Sequence, residues 1–179
     1  MVATERLTAV LTRFAHAMTD SYDLTEVLYR LTDDVTDVLA VAGAGIAVAD
    51  AEDLLRYATA SSDAVATLER VQEEHQLGPC AEAFRSQEPV MVADIACRAD
   101  WPAYRAQAER LGFHAVAGVP LSLASERFGA LNLYDHGPRD WTPEDIGLAR
   151  ILAACQGLDI FVSTRSQFDR SSTKKRSCG

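Results

Sequence analysis

The chain has 179 residues, of which 48% are hydrophobic and 24% are charged, and its formal net charge is −9. This length and composition predict one globular domain with a sizeable core, and they exclude a disordered chain. No apolar run reaches the about 18 residues that cross a bilayer, and the N-terminus lacks the apolar region of a signal peptide, so we expect a cytoplasmic protein.

Two helices are predicted before the first strand. The first has an apolar stripe at helical spacing, formed by Leu7, Val10, Leu11, Phe14 and Met18. The second begins at Asp23, where Glu26 three residues later completes a capping box. Its own apolar stripe runs from Leu24 to Leu39, and Gly43 and Gly45 are expected to break it.

A hairpin and a third helix follow. Alternating residues predict strands at Ile46–Val48 and Leu55–Thr59, joined by the polar turn Asp50–Asp53. The third helix is capped within Ser61–Asp63 and ends at Gly78-Pro79. Its expected inner face consists of Val65, Leu68, Val71 and His75.

The second half begins with a short helical turn at Ala81–Arg85 and a strand at Val90–Ile95. Asp100 is expected to cap the next helix, which has Trp101-Pro102 in its first turn and closes at Gly112.

A second hairpin pairs Ala115–Leu123 with Phe128–Tyr134 through the polar link Ala124–Arg127. In the second of these strands, one face is expected to hold Phe128, Ala130, Asn132 and Tyr134. The last helix starts at Thr142-Pro143 and is apolar on more than one face, so we expect it to be buried or to meet a partner. The whole order predicts an α+β fold, an antiparallel sheet with the terminal helices packed on one face.

Five short segments carry a resemblance to a known family: GPC (78–80), PVMVAD (89–94), DWPAY (100–104), AGVPL (117–121) and FGALNLY (128–134). Over roughly residues 5–163 the chain resembles the GAF domain, a PAS-related sensory fold. It looks most similar to the GAF portion of actinobacterial GAF–ANTAR transcription antiterminators. The resemblance implies a small-molecule cavity between the sheet and a helical lid over residues 76–114. It also implies a homodimer through the terminal helices.

In that family an RNA-binding ANTAR bundle normally follows the GAF domain, and only about 15 residues follow the last predicted helix here. We therefore expect a stand-alone or truncated member, and nucleic-acid binding is not carried over. The negative net charge of the main body also argues against a phosphate-binding surface. We expect residues 1–164 to form the sensory domain. Residues 165–179 form a basic tail, either disordered or an arm for acidic partners.

Ligand cavities in such folds combine apolar walls with few polar anchors. The candidate ligand-binding residues are therefore Tyr57, Cys80, Phe84, Asp94, Trp101, Tyr104, Phe113, Asn132 and Tyr134. Each of the aromatic residues could instead be plain core. If side chains such as Phe84, Trp101 and Tyr134 fill the cavity, the domain is a ligand-free scaffold for dimerisation and protein contacts.

Cysteine chemistry is the third possibility. Cys80 follows a Gly-Pro turn, where a helix N-terminus could lower its thiol pKa, although a small buried thiol is the simpler interpretation. Cys80 and Cys97 faintly resemble the cysteines of the free-methionine-R-sulfoxide reductase, a GAF-related enzyme. The residues flanking Cys97 lack that enzyme's Gly-His and Ser-Glu, so we expect a non-catalytic protein.

No cofactor or metal is assigned from the sequence. The four cysteines form no CxxC pair or zinc-type spacing, and His114 is the only reasonable haem or metal ligand. A cyclic-nucleotide motif of the NKFDE type is absent. Bilin attachment would need a histidine next to the cysteine, and Cys80 is followed by Ala81. The expected partner is an unidentified small molecule.

Overall fold

The computed structural model describes Thr8, residues 24–123 and residues 126–154. The first half contains α1 (Leu24–Leu39), β1 (Gly43–Ala49), β2 (Leu55–Ala60), α2 (Asp63–His75) and α3 (Pro79–Ser86). The second half contains β3 (Val90–Val92), a 3₁₀ turn (Ile95–Cys97), α4 (Pro102–Leu111), β4 (Ala115–Leu123), β5 (Glu126–Asp135) and helix α5 over 143–154. The apolar stripe of the first predicted helix, the Asp23 cap, the end of the last helix and the tail over 165–179 lie outside the described residues.

The five strands form one antiparallel sheet in the order β2-β1-β5-β4-β3. β5 lies at its centre and pairs with β1 and β4. Asn132 of β5 is flanked by two glycines, because it pairs with Gly45 on one side and with Gly118 on the other. In the middle of the sheet, Asn132 therefore has no neighbouring side chain on either of the residues paired with it.

Helices cover both faces of the sheet. On one face lie α1 and α5, which are called the terminal helices below. They pack in the largest apolar cluster on alternate residues of the central strands, including Ile46, Leu131 and Leu133. On the other face α2, α3 and α4 form a lid over Val116, Ala130 and Tyr134. The predicted α+β fold with terminal helices on one face and a helical lid on the other is confirmed, and α2 belongs to that lid. Within the described residues no helix is both long and apolar enough to span a membrane.

Several predicted boundaries are wrong. Gly43 and Gly45 do not end α1 but lie inside β1. α2 does not extend to Gly78-Pro79. It ends at His75, and its C-cap residue Gln76 adopts the left-handed conformation, whereas Gly78 precedes α3 with a φ of 132°. The strand predicted to reach Ile95 ends at Val92, and Ile95 is instead the first residue of the 3₁₀ turn.

The predicted cap at Asp100 is also wrong. Trp101 occupies the N-cap position of α4 without a side-chain cap, and the Asp100 carboxylate pairs with Arg98 instead. The cap at the start of α5 is confirmed, because Thr142 and Asp145 exchange reciprocal hydrogen bonds.

The face assigned to Phe128 is wrong because of a β-bulge. Leu121 pairs with Gly129 while Ser122 pairs with Arg127, so Phe128 is the extra residue in β5. Phe128 therefore packs with Leu131 under the terminal helices rather than beside Asn132. The link between the two strands is also shorter than predicted, because β4 ends at Leu123 and β5 begins at Glu126.

Gly118 sets how closely the lid approaches the sheet. A Cβ there would lie 2.5 Å from the Pro79 carbonyl oxygen, and this backbone cannot move aside. We expect Gly118→Ala to lower the free energy of unfolding by about 2 kcal/mol. Gly147→Ala is the control, because a Cβ at Gly147 in α5 meets nothing within 4 Å and alanine favours a helix. Urea denaturation measures both, and equal midpoints for the two variants would contradict the packing.

Candidate functional site

A buried carboxyl group lies at the centre of the lid-facing side of the sheet. The Glu69 side chain comes down from α2 and is 1% exposed. Its oxygens accept hydrogen bonds from Asn132 Nδ2 at 2.8 and 3.1 Å and from the Tyr134 hydroxyl at 2.7 Å. These three residues join the lid to the central strand through polar contacts.

Local structure explains why Glu69 points inward. Ser62 caps α2 by accepting a hydrogen bond from the Val65 amide, which fixes the helix start. From that start the buried face consists of Val65, Ala66, Leu68, Glu69 and Gln72. Gly45 lies beneath this face, and a Cβ there would be 2.7 Å from both Cγ and Cδ of Glu69. Because Gly45 has no side chain, the Glu69 carboxyl can occupy the space above it.

This fit can be tested by a double-mutant cycle. Gly45→Ala is expected to lower the free energy of unfolding by about 2 kcal/mol, because the methyl group displaces a carboxyl held by two partners. In a Glu69→Ala background the same change should cost much less, which gives a coupling of about 1 kcal/mol or more. Urea denaturation of the four proteins provides the values. Additive effects would show that the two side chains do not meet.

Gln72, one turn further along α2, links three parts of the site. Its Oε1 accepts a hydrogen bond from the Cys80 amide at 2.9 Å, and its Nε2 donates to the Tyr134 hydroxyl at 3.2 Å. A Cβ at Gly78 would lie 2.5 Å from Gln72 Oε1. Gly78 therefore lets the chain turn tightly around this amide before α3 begins.

Burial controls the proton affinity of the site. It raises the pKa of Glu69 from 4.5 to about 7, although the hydrogen bonds from Tyr134 and Asn132 act in the opposite direction. Burial, followed by the nearby Glu69 charge, also raises the pKa of Tyr134. In the part of the chain that the structure describes, no basic side chain forms an ion pair with Glu69. The carboxyl group therefore lies in a neutral, desolvated environment.

Two polar atoms beside this carboxyl group have no hydrogen-bond partner. They are the Tyr104 hydroxyl and Asn132 Oδ1, and the two residues are 2% and 0% exposed. Burial raises the pKa of Tyr104 while a side-chain interaction with Tyr134 lowers it, so the Tyr104 hydroxyl lies close to Tyr134 and Asn132 Oδ1 is the more isolated of the two atoms. Buried polar atoms are nearly always paired, so the isolated Asn132 Oδ1 marks a position that a polar group could occupy.

The structure brings together four of the predicted site residues around Glu69: Cys80, Tyr104, Asn132 and Tyr134. Two more form an aromatic wall next to them. The Phe113 ring centroid lies 5.4 Å from that of Tyr134, and the Trp101 centroid lies 6.0 Å from that of Tyr104.

The other three predicted residues form no hydrogen bond with Glu69, although the Glu69 charge acts on Tyr57. Phe84 packs with Cys80 in a separate small cluster and lies under the Arg127 guanidinium. Tyr57 is half-buried on β2 beneath the Arg70 guanidinium. Asp94 caps the 3₁₀ turn by accepting a hydrogen bond from the Ala96 amide. Asp94 thus has a local structural role in the lid.

Cys80 is not the activated thiolate that its position suggested. Its side chain is fully buried, and its Sγ donates to the Ala130 carbonyl oxygen at 3.6 Å. Burial, followed by the Glu69 charge, raises the pKa of this thiol well above its usual value. Cys97 is exposed on the 3₁₀ turn. This arrangement gives the cysteine-based reductase no support.

Nor do the described residues provide a metal site. They contain no group of three or more histidine, cysteine, aspartate or glutamate side chains arranged to hold a metal ion. The candidate haem or metal ligand His114 has an exposed side chain.

Sequence reasoning missed Glu69 and Gln72. The predicted inner face of α2 used Val71 and His75, whereas the structure buries the neighbouring positions 69 and 72. Both choices match helical spacing from Val65 and Leu68, so periodicity does not decide between them. The sequence signal that could have indicated a buried polar partner lies on the strands. Gly45 in β1 pairs with the polar Asn132 in β5 and leaves space for a side chain from the lid.

The fold has close structural relatives at low sequence identity. The GAF domain of a phosphoenolpyruvate-protein phosphotransferase from Coxiella burnetii superposes with a TM-score of 0.69 at 13% identity, over 91% of this chain and 96% of that chain. A domain assigned to a two-component sensor histidine kinase from Sinorhizobium meliloti gives 0.67 at 20% identity, over 84% and 99%. GAF3 of Slr1393 from Synechocystis, in its photoproduct state, gives 0.64 at 16% identity, over 83% and 98%.

The sequence itself matches a family model. No curated protein matches this chain significantly. Residues 21–154 match the model of the GAF domain, which covers α1 to α5 and therefore the whole sheet and its lid. The chain belongs to the GAF domain family.

Proposed function

We propose that this chain is a non-catalytic sensory module that binds a small molecule between the sheet and the lid. One observation carries the proposal: the Glu69 carboxyl is buried at the centre of the sheet beside Asn132, whose Oδ1 has no hydrogen-bond partner. A buried acid without an opposite charge is costly for folding. Buried titratable groups with strongly shifted pKa values concentrate at functional sites, which favours a binding role here.

The architecture offers a route from this site to the terminal helices. Asn132 and Tyr134 contact Glu69 on the lid side, while the alternating residues Leu131 and Leu133 pack under α1 and α5. A change in how β5 is held on one face therefore reaches the packing on the other. Two structural relatives, a domain assigned to a sensor histidine kinase and a GAF domain in its photoproduct state, are consistent with such a sensory role.

Native mass spectrometry of the protein purified from its source organism tests the proposal. We expect a species heavier than the bare chain, which disappears on denaturation. Occupancy should fall in Glu69→Gln and persist in Glu74→Gln, which makes the same change on the exposed side of α2. A bare chain from every preparation would contradict small-molecule sensing.

A ligand-free scaffold is the second candidate. The observation that favours it is the close packing of the lid, where Phe84, Trp101 and Tyr134 are 3%, 4% and 0% exposed. A scaffold would show no bound molecule while keeping its oligomeric state.

We also propose that the protein is cytoplasmic and is related to the sensory part of GAF–ANTAR regulators. We further propose that it forms a homodimer through its terminal helices. Exposed apolar side chains support the dimer, since Tyr29 on α1 and Ile151 on α5 are 54% and 45% exposed. Light scattering of the intact chain and of a Tyr29→Ser, Ile151→Ser variant is the test. A monomeric parent at micromolar concentration would contradict the dimer.

A further inference from the structure

We propose that the small molecule carries a protonated nitrogen, of the amidinium, guanidinium or primary ammonium class, which pairs with the Glu69 carboxylate. This inference rests on the proposed sensory function and specifies the chemistry of the same site. It follows from the charge balance around Glu69, from the unpaired acceptors beside it and from the aromatic side chains nearby.

The charge balance comes first. The groups found close to Glu69 are neutral: Gly45 of β1, Tyr57 of β2, Gln72 of α2, Cys80 of α3, Tyr104 of α4, and Asn132 and Tyr134 of β5. The basic residue next to it in sequence, Arg70, is exposed and lies over the Tyr57 ring. Ionised Glu69 therefore has no counter-ion among the described residues, and a cation would offset the cost of burying its charge. An anionic ligand would add to that cost.

The unpaired acceptors indicate that the ligand group is a hydrogen-bond donor. Asn132 donates to Glu69 through Nδ2, which leaves its Oδ1 as a free acceptor beside the carboxylate. The Tyr104 hydroxyl oxygen, which lies close to Tyr134, is a second acceptor that forms no well-aligned hydrogen bond. A cationic nitrogen group with several N–H bonds can donate to the carboxylate and to such neutral oxygens at once. A carbonyl or carboxylate ligand could accept a hydrogen bond from the Tyr104 hydroxyl but would leave Asn132 Oδ1 unpaired.

Aromatic rings favour a flat molecule. Phe113 packs on Tyr134 and Trp101 packs edge-on against Tyr104, so rings lie next to the polar centre. One face of Trp101 is covered by the Arg98 guanidinium and one face of Phe113 by the His136 ring, so these rings would supply flat apolar contact to a ligand. The ligand class that meets all three requirements has a flat apolar body and one cationic nitrogen group.

Three probes of nearly the same shape separate the effect of charge from that of size: benzamidine, benzamide and benzoate. Chemical-shift titrations at about pH 8, where both Glu69 and benzamidine are ionised, measure the affinity of each probe. We expect saturable shifts of the Asn132, Tyr134 and Tyr104 signals, and benzamidine should bind about tenfold or more tighter than benzamide, with benzoate weakest. Glu69→Gln should reduce the affinity for benzamidine to that for benzamide, and Glu74→Gln should leave it unchanged.

The outcomes distinguish this inference from the proposed function. Benzamide or benzoate binding as tightly as benzamidine would overturn the cationic class and leave a small-molecule site in place. Benzamidine binding that is unaffected by Glu69→Gln would also overturn it, because the cation would then lie elsewhere. No saturable shift with any probe at millimolar concentration would overturn the inference too. In that case native mass spectrometry still decides separately whether a small molecule is bound.

Discussion

Replacing Glu69 by glutamine is expected to raise the free energy of unfolding by about 3 kcal/mol at about pH 8. The reason is the position of Glu69, whose carboxyl is buried between α2 and β5 and faces no cation among the described residues. Glutamine is nearly the same size and carries no charge, and it can still accept a hydrogen bond from the Tyr134 hydroxyl. The variant therefore removes the cost of a buried charge while keeping most of the packing.

The pH dependence has a definite sign. Burial raises the pKa of Glu69 from 4.5 to about 7, so the folded protein binds this proton more tightly than the unfolded chain does. Below 4.5 both states are protonated, and this contribution to stability is fully present. Between 4.5 and about 7 the unfolded chain releases its proton first, so stability falls as the pH rises. Above that range both states are ionised and the loss is constant.

Chemical denaturation of the parent and of Glu69→Gln over this pH range measures the effect. The stabilities should be similar below about pH 4.5, should diverge between 4.5 and about 7, and should differ by a constant amount above that range. Glu74→Gln on the exposed side of α2 is the control and should follow the parent throughout. Parallel curves for parent and Glu69→Gln would contradict the buried, uncompensated carboxyl group.

Replacing Arg139 by alanine is expected to lower the free energy of unfolding by about 2 to 3 kcal/mol. The Arg139 guanidinium is 3.0 Å from the Asp135 carboxylate at the end of β5 and 3.1 Å from that of Asp145 in α5. It also donates to the Leu39 carbonyl oxygen at the end of α1, at 3.1 Å. One side chain thus ties the central strand to both terminal helices.

The environment of Arg139 explains why its effect should exceed that of a surface ion pair. Its side chain is 23% exposed, and its guanidinium lies 4.8 Å from the Trp141 ring centroid. Trp141 in turn donates to the Val92 carbonyl oxygen at the end of β3. Loss of Arg139 would leave two partly buried carboxylates and a helix end without their partner.

Urea denaturation and amide hydrogen exchange measure this effect. Exchange should speed up at the end of α1 and the start of α5. The control is Arg30→Ala, because Arg30 pairs with Glu26 on the exposed surface of α1, where such pairs contribute less than about 0.5 kcal/mol. If Arg139→Ala cost no more than Arg30→Ala, the link between β5 and the terminal helices would be refuted.

The strands were largely predictable from the sequence because each has one apolar face. The alternation in β4 placed Ala115, Ala117, Val119 and Leu121 together, and they do share the face under the terminal helices. Phe128 was misplaced because a bulge depends on the register between two strands, which one strand's pattern does not contain.

The aromatic part of the site was also predictable, and its polar centre was not. Tyr134 was selected as an aromatic wall residue, and Asn132 was selected as a polar anchor on the same face of the strand. Glu69 lies on a helix rich in acidic residues, where a glutamate normally faces solvent. Its burial depends on Gly45 and on two donors more than 60 residues away in the sequence, so only tertiary structure shows it.

A carbon-detected NMR titration of the Glu69 carboxyl group tests the proposed ligand-binding centre most directly. With the protein free, we expect its chemical shift to titrate with a midpoint near 7, as burial dictates. With benzamidine bound, the midpoint should move to lower pH, because a neighbouring cation favours the ionised form. A midpoint near 4.5 in the free protein would show a solvated carboxyl group and would contradict the site around Glu69.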